Sequence, residues 1–190
     1  RVGVVYAGRM TYRNIKNHYV LIGFNELSIN MIRELYDECP SARILLMSGM
    51  ESATVRHRIQ SALPVEVERQ VLVYFGNIES IEELQRLNIE SAIEVYVLGD
   101  EERYGRDAKN IAIVHLVSTL RGKCYDGKMM PVYVQFDSIP SYSNIQKMNL
   151  PPEVFCIEGK PNIFFRPFNL HENLARQLWS LYGADCERRY

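Results

Sequence analysis

The chain has 190 residues, 47% of them hydrophobic, and 22 Lys and Arg stand against 23 Asp and Glu for a net charge of -1 at pH 7. That length suits one domain or one domain with an appendage, and the apolar content suffices for a packed core. Near neutrality leaves no general field for nucleic acid or an anionic membrane surface, so no nucleic-acid partner is expected, and no apolar run approaches the ~20 residues of a membrane span.

Residues 1–16 mix glycine, basic and scattered apolar residues without a sustained period, as a linker from an upstream segment would. Strand-like runs follow at Tyr19 to Ile22, Ile44 to Met47, Val71 to Phe75, Val95 to Leu98 and Val132 to Phe136, with gaps that can each hold a helix. Strand alternating with helix predicts a parallel sheet covered on both faces. After the first strand, Leu27, Met31, Ile32, Leu35 and Tyr36 share one helical face while Glu26, Asn30 and Arg33 point away. Ser80-Ile81-Glu82-Glu83 has the form of a reciprocal capping box, with Ile81, Leu84 and Leu87 as the apolar stripe behind it. A longer helix from about Asp107 to Leu120 carries Ala108, Ile111, Ala112, His115, Leu116 and Thr119 on one side and stops at Gly122.

Beyond Asp137, Pro140, Pro151, Pro152, Pro161 and Pro167 break the chain into short pieces, and the regular alternation is expected to end there. One more helix is marked by Asn169 as N-cap, Glu172 three residues on, a face of Leu174, Ala175, Leu178, Trp179 and Tyr182, and Gly183 at the stop. The expected fold is a Rossmann-like α/β doubly wound parallel sheet at 17–138, preceded by the linker and followed by an irregular and helical extension at 139–190.

The turn after the first strand poses the functional question. The dinucleotide fingerprint G-x-G-x-x-G needs its first glycine for the bend, its second for the approach of a pyrophosphate and its third for close helix packing. Here the three positions read Gly23, Asn25 and Ser28. Glu26 adds a carboxylate where the positive end of a helix would otherwise attract phosphate, so the protein is expected to supply its own anion. The second strand ends in Ser48-Gly49 where a ribose-binding acid belongs, with Glu51 three residues late, and Asn77 follows the third strand. Gly99-Asp100-Glu101-Glu102 after the fourth strand reads as a solvated acidic loop, since its oxygens lack the spacing of a dedicated calcium site. The degenerate crevice is therefore placed at Gly23, Asn25, Ser28, Ser48, Asn77 and Asp100, with no metal and no resident cofactor. Weak binding of NAD or another nucleotide is the alternative.

The segments His18-Tyr19-Val20-Leu21-Ile22-Gly23, Val73-Tyr74-Phe75-Gly76-Asn77, Leu84 through Ala92 with Ile89-Glu90-Ser91-Ala92, and Asp107-Ala108-Lys109-Asn110-Ile111 together resemble a known family, the RCK (regulator of K⁺ conductance) or TrkA-N domains of potassium channels and transporters. Within that family the chain looks closest to the first RCK domain of large-conductance calcium-activated channels. The resemblance implies a non-enzymatic gating domain on the cytoplasmic side of the cell membrane. It implies a homodimer or larger gating ring as the assembly, and the pore-forming membrane domain of the same full-length protein as the partner. The rival reading is a sensor or oxidoreductase that binds NAD(H) or another nucleotide on the same sheet.

Isolated residues add little to either reading. His18 heads a strand and His115 an apolar helix face, where structural histidines are expected, whereas His57 is expected in solvent and His171 near a cap. Cys39, Cys124, Cys156 and Cys186 form no C-x-x-C pair, which fits reduced thiols in a cytosolic setting. No N-terminal signal peptide is recognisable, and the start at Arg1 raises the expectation of a segment from a longer protein. No serine, cysteine or lysine has a recognisable partner base, so nucleophilic catalysis is not expected.

Overall fold

The computed structural model describes residues 15–102, 104–122, 128–148, 156–157 and 160–174. Leu178, Trp179, Tyr182 and Gly183 of the expected last helix lie outside these residues, as does most of the 1–16 linker. In chain order the elements are β1 (Tyr19–Ile22), α1 (Ser28–Glu38), β2 (Ile44–Ser48), α2 (Ser52–Ala62), α3 (Val65–Glu68), β3 (Val71–Phe75) and α4 (Ile81–Leu84). Two 3-10 turns, Gln85–Leu87 and Ile89–Ser91, lead to β4 (Glu94–Val97), α5 (Arg106–Gly122), β5 (Met130–Gln135) and α6 (Ile139–Lys147). The short strands β6 (Cys156–Ile157) and β7 (Lys160–Pro161) form a small antiparallel pair before β8 (Ile163–Phe168).

The main sheet has six strands in the order β3-β2-β1-β4-β5-β8, and every pairing in it is parallel. Its interior strands are short, largely apolar runs because both of their faces are buried: every residue of β1 and β2 is buried. One core packs Val20, Ile22, Val95, Val97, Val132 and Val134 against α4, α5 and α6. The other packs Leu21, Leu46, Val73 and Tyr96 against α1, α2 and α3. This is the doubly wound arrangement expected from the alternation of strand and helix.

Three features depart from expectation. The alternation does not end at Asp137, because Ser138 caps α6 by accepting the Ser141 amide at 3.3 Å, and β8 then joins β5 as a sixth strand. Pro140 sits in the first turn of α6, where a missing amide hydrogen costs nothing, so it starts the helix instead of breaking it. The buried side of α5 is rotated from the one expected, of which only Ile111 and Leu116 pack, partly buried, against the core. Ile113, Val114, Val117 and Leu120 face the core together with Arg106, Asn110, Ser118 and Arg121, whereas Ala108, Ala112, His115 and Thr119 are exposed. The capping box is only half formed: Ser80 accepts the Glu83 amide at 3.4 Å, but the Glu83 carboxylate takes the Tyr74 hydroxyl at 2.5 Å and pairs with Arg86. Asn169 caps as expected, its side chain accepting the Glu172 amide at 2.9 Å ahead of helical residues 170–174.

Candidate functional site

Ligands of open α/β sheets bind beyond the carboxyl ends of the strands, where the strand order reverses. That point lies between β1 and β4. β1 runs into Gly23, whose φ is +96°, and a Cβ there would stand 2.2 Å from the carbonyl carbon of Gly99. Only glycine lets these two turns touch. Gly99 has φ +75° and backs onto Arg106 and Asn110 of α5. The one glycine kept from the fingerprint is thus demanded by backbone contact inside the protein.

Asp100, the next residue, draws the donors of this edge onto its own carboxylate. One oxygen accepts the Phe24 amide at 3.0 Å and the Ser48 hydroxyl at 2.6 Å, and the other accepts the Gly49 amide at 3.0 Å. Ser48 itself accepts the Met50 amide at 3.0 Å, which leaves its own proton for Asp100. The acid absent from the end of β2 is therefore supplied from the end of β4, opposite the serine that replaces it. Glu26 is exposed and stands two residues ahead of the first residue of α1, whose own first turn contains no acidic residue. The 99–102 loop is solvated at Glu101 and Glu102, both exposed, while each of its carboxylates also has a partner. Glu101 pairs with Arg58 of α2, whose guanidinium stands 6.0 Å from the Phe24 ring centre, and Glu102 lies 3.5 Å from Lys109.

The Asn25 side chain occupies the place of the second fingerprint glycine and stitches the turn to its neighbours. It donates to the carbonyls of Leu98 at 3.0 Å and Gly99 at 3.3 Å and to Gln135 at 2.9 Å, while its oxygen accepts the Leu27 amide at 2.9 Å. Ser28, in the third position, accepts the Asn25 amide at 2.9 Å. From Gln135 the chain of bonds continues to Asp137 at 2.9 Å, and Asp137 pairs at 3.0 Å with Arg106, which is 1% exposed. Arg106 also donates to the Glu101 carbonyl at 2.9 Å, closing the circuit around the loop. Asn77 spends its oxygen on the Glu79 amide at 2.9 Å. It lines a cavity of about 150 Å³ with Gly49, Asp100, Lys109 and Asn110.

The structure thus brings Asn25 and Ser28 into one bonded pair and Ser48 and Asp100 into another, with Gly23 packed on Gly99 between them, and Asn77 borders the cavity beside them. The sequence reading missed Arg106, Asn110 and Gln135. Asn110 donates to the Gln135 carbonyl at 2.9 Å, so the three join α5 to β5. A polar residue inside the apolar run Val132 to Phe136 was the only signal for Gln135, and an arginine in a first helical turn carries none that distinguishes buried from solvated. Among the described residues no group of His, Cys, Asp and Glu is arranged to hold a metal ion. No described helix is long and apolar enough to cross a membrane.

No protein-family model and no curated protein matches the chain. Solved structures match it in fold. The GsuK channel bound to NAD superposes with a TM-score of 0.53 at 11% identity, over 76% of this chain and 22% of its own length. GsuK bound to ADP gives 0.55 at 12% identity over 88% of this chain and 35% of that one. The TrkA-N domain of the inner membrane protein ybaL from Escherichia coli gives 0.52 at 15% identity over 88% of this chain and 98% of that one. The chain thus spans only a minor part of the GsuK structures and nearly all of the TrkA-N domain. The likeness at these identities is one of fold, and the fold is that of RCK and TrkA-N domains.

Proposed function

We propose that the chain is a non-enzymatic RCK or TrkA-N domain that regulates a potassium channel or transporter from the cytoplasmic side of the membrane. The observation that carries this reading is a sheet of the RCK and TrkA-N kind whose crevice is filled by Asp100 and tied shut through Glu101. Such a crevice suits transmission of a conformational signal better than turnover, since the donors that would orient a phosphate are already satisfied. Residues 1–16 then connect to a pore-forming domain, 17–138 form the sensor body, and 139–190 carry the assembly segment of a homodimer or larger ring. The segments quoted from the sequence support the resemblance independently of the fold.

The GsuK structures bound to NAD and ADP make nucleotide sensing the competing reading. Calorimetry of this chain with NAD, NADH, ADP and ATP separates the two. The expected result is dissociation constants weaker than about 100 μM for all four, or less than about 5.5 kcal/mol of binding free energy. Low-micromolar affinity for any of them overturns the closed crevice. The regulatory role is tested by rubidium flux through the full-length protein in liposomes. Substitutions within 17–138 are expected to change the open fraction without changing ion selectivity, and flux indifferent to them would remove the assignment.

A further inference from the structure

The contacts of Asp100 resemble those of a bound ligand. Two backbone amides from different turns and one hydroxyl converge on its two oxygens at 2.6 to 3.0 Å. Gly49 belongs to this arrangement as much by what it lacks, because a Cβ there would stand 3.1 Å from the second carboxylate oxygen. The Ser48 hydroxyl is already oriented by the Met50 amide. These four features describe a seat for a flat, two-oxygen anion, assembled by the turns after β1 and β2. The chain reaches into it from the turn after β4. Next to the seat, on the Asn77 side, lies the cavity of about 150 Å³. Asn110 lines that cavity fully buried, and its side-chain oxygen has no hydrogen-bond partner.

We propose that Phe24, Ser48 and Gly49 form an oxyanion-binding seat, specific for a carboxylate or a terminal phosphate, and that Asp100 is a tethered pseudo-ligand holding it shut. A free anion of this class takes the seat only when Asp100 leaves. Its departure pulls on Glu101, whose carboxylate is held by Arg58 and whose carbonyl is held by Arg106. Occupation of the seat and release of the 99–102 loop are therefore one event, and α2 and α5 both feel it. This deepens the closed-crevice reading and rests on it. Its test involves no ion transport, so it can fail while the regulatory assignment stands, and the reverse also holds.

The experiment is chemical rescue in the full 190-residue chain. Thermal melts of the unmodified protein and of Asp100→Ala are compared in acetate, inorganic phosphate and chloride at matched ionic strength, and the amide resonances of Phe24 and Gly49 are followed in parallel. In chloride, Asp100→Ala is expected to melt several degrees lower. Acetate or phosphate is expected to return about 3 to 6 °C of the loss, the shift produced by a ligand at roughly ten times its dissociation constant. The unmodified protein should show no such rise, and only in the variant should the two resonances move. Glu101→Ala, which keeps the pseudo-ligand but frees its neighbour, should show no rescue. If Asp100→Ala does not fold, Asp100→Asn is used, with a smaller rescue expected because one oxygen remains. Equal anion response in variant and unmodified protein overturns the proposal. So does a rescue in which the resonances of Phe24 and Gly49 stay still, since that would be an adventitious ion only.

Discussion

His18 shows how one buried side chain ties stability to pH. Its Nε2 lies 2.9 Å from the Leu87 carbonyl, which can only accept, so Nε2 carries the hydrogen and Nδ1 is the bare nitrogen. Nδ1 has no partner and the residue is fully buried. Protonation would place an unpaired N–H and a charge in apolar surroundings. Burial accordingly pushes the His18 pKa below its ordinary value, partly countered by the Leu87 bond and by Glu90. Because the folded value is the lower one, the unfolded chain takes up the proton first, and stability is lost as pH falls below about 6.5. The melting temperature should therefore decline from about pH 7.5 to pH 5.5, and His18→Gln, which keeps a donor for Leu87, should flatten that decline. An equal slope in both proteins would assign the acid sensitivity elsewhere.

Elements were legible where hydrophobicity alone decides them, and illegible where polar residues are buried. The five expected strands were placed to within two residues, since they are mostly continuous β-branched or aliphatic runs, whereas β6, β7 and β8 were not anticipated. On α5 the same logic selected a face of which only Ile111 and Leu116 pack against the core. Asn110 reaches the Gln135 carbonyl, Ser118 bonds Asn162 at 2.9 Å, and Arg121 donates to the carbonyls of Glu90 and Lys128. These bonds satisfy the irregular ends of neighbouring strands and bring polar residues to the face that packs, while small residues such as Ala108 and Ala112 are left outside. The crevice was legible in the same partial way. The loss of the fingerprint at Asn25 and Ser28 was visible, but the partnership of Ser48 with Asp100 spans 52 positions and leaves no local pattern. Gly23 is the exception, where a local turn signal and a long-range contact agree. Gly23→Ala should cost at least about 3 kcal/mol, because the added methyl meets backbone atoms and the φ is unfavourable for any other residue. A urea melt with an unshifted midpoint would show that the β1 and β4 turns separate more easily than their contact implies.

At the scale of the whole molecule, the sheet presents an aromatic region on its β4-β5-β8 side. Tyr96 and Tyr133 stack with ring centres 4.8 Å apart, and Phe164 and Phe168 are half-buried beside the exposed Arg166, whose guanidinium stands 5.9 Å from the Phe164 ring centre. We propose that Phe168 and Trp179 lie near a self-association contact. Closed two-fold symmetry makes a homodimer the first assembly to look for. Sedimentation at about 10 to 100 μM should show it, with Trp179→Ala weakening association by about 2 kcal/mol or more. A monomer throughout that range would remove the interface. The position of β1 has a mechanical consequence as well. The strand is flanked on both sides, by β2 and β4, and the chain leading into it is pinned where Asn88 donates to the Ile15 carbonyl at 2.6 Å and the Asn17 amide donates to Ser91 at 3.0 Å. Tension along the axis of β1 is thus borne in shear, by two ladders of parallel-strand bonds at once, whereas an edge strand would peel one bond at a time. Load on β1 is therefore shared with β2 and β4, and the turn after β4 closes on Gly23, one residue before the amide that holds Asp100.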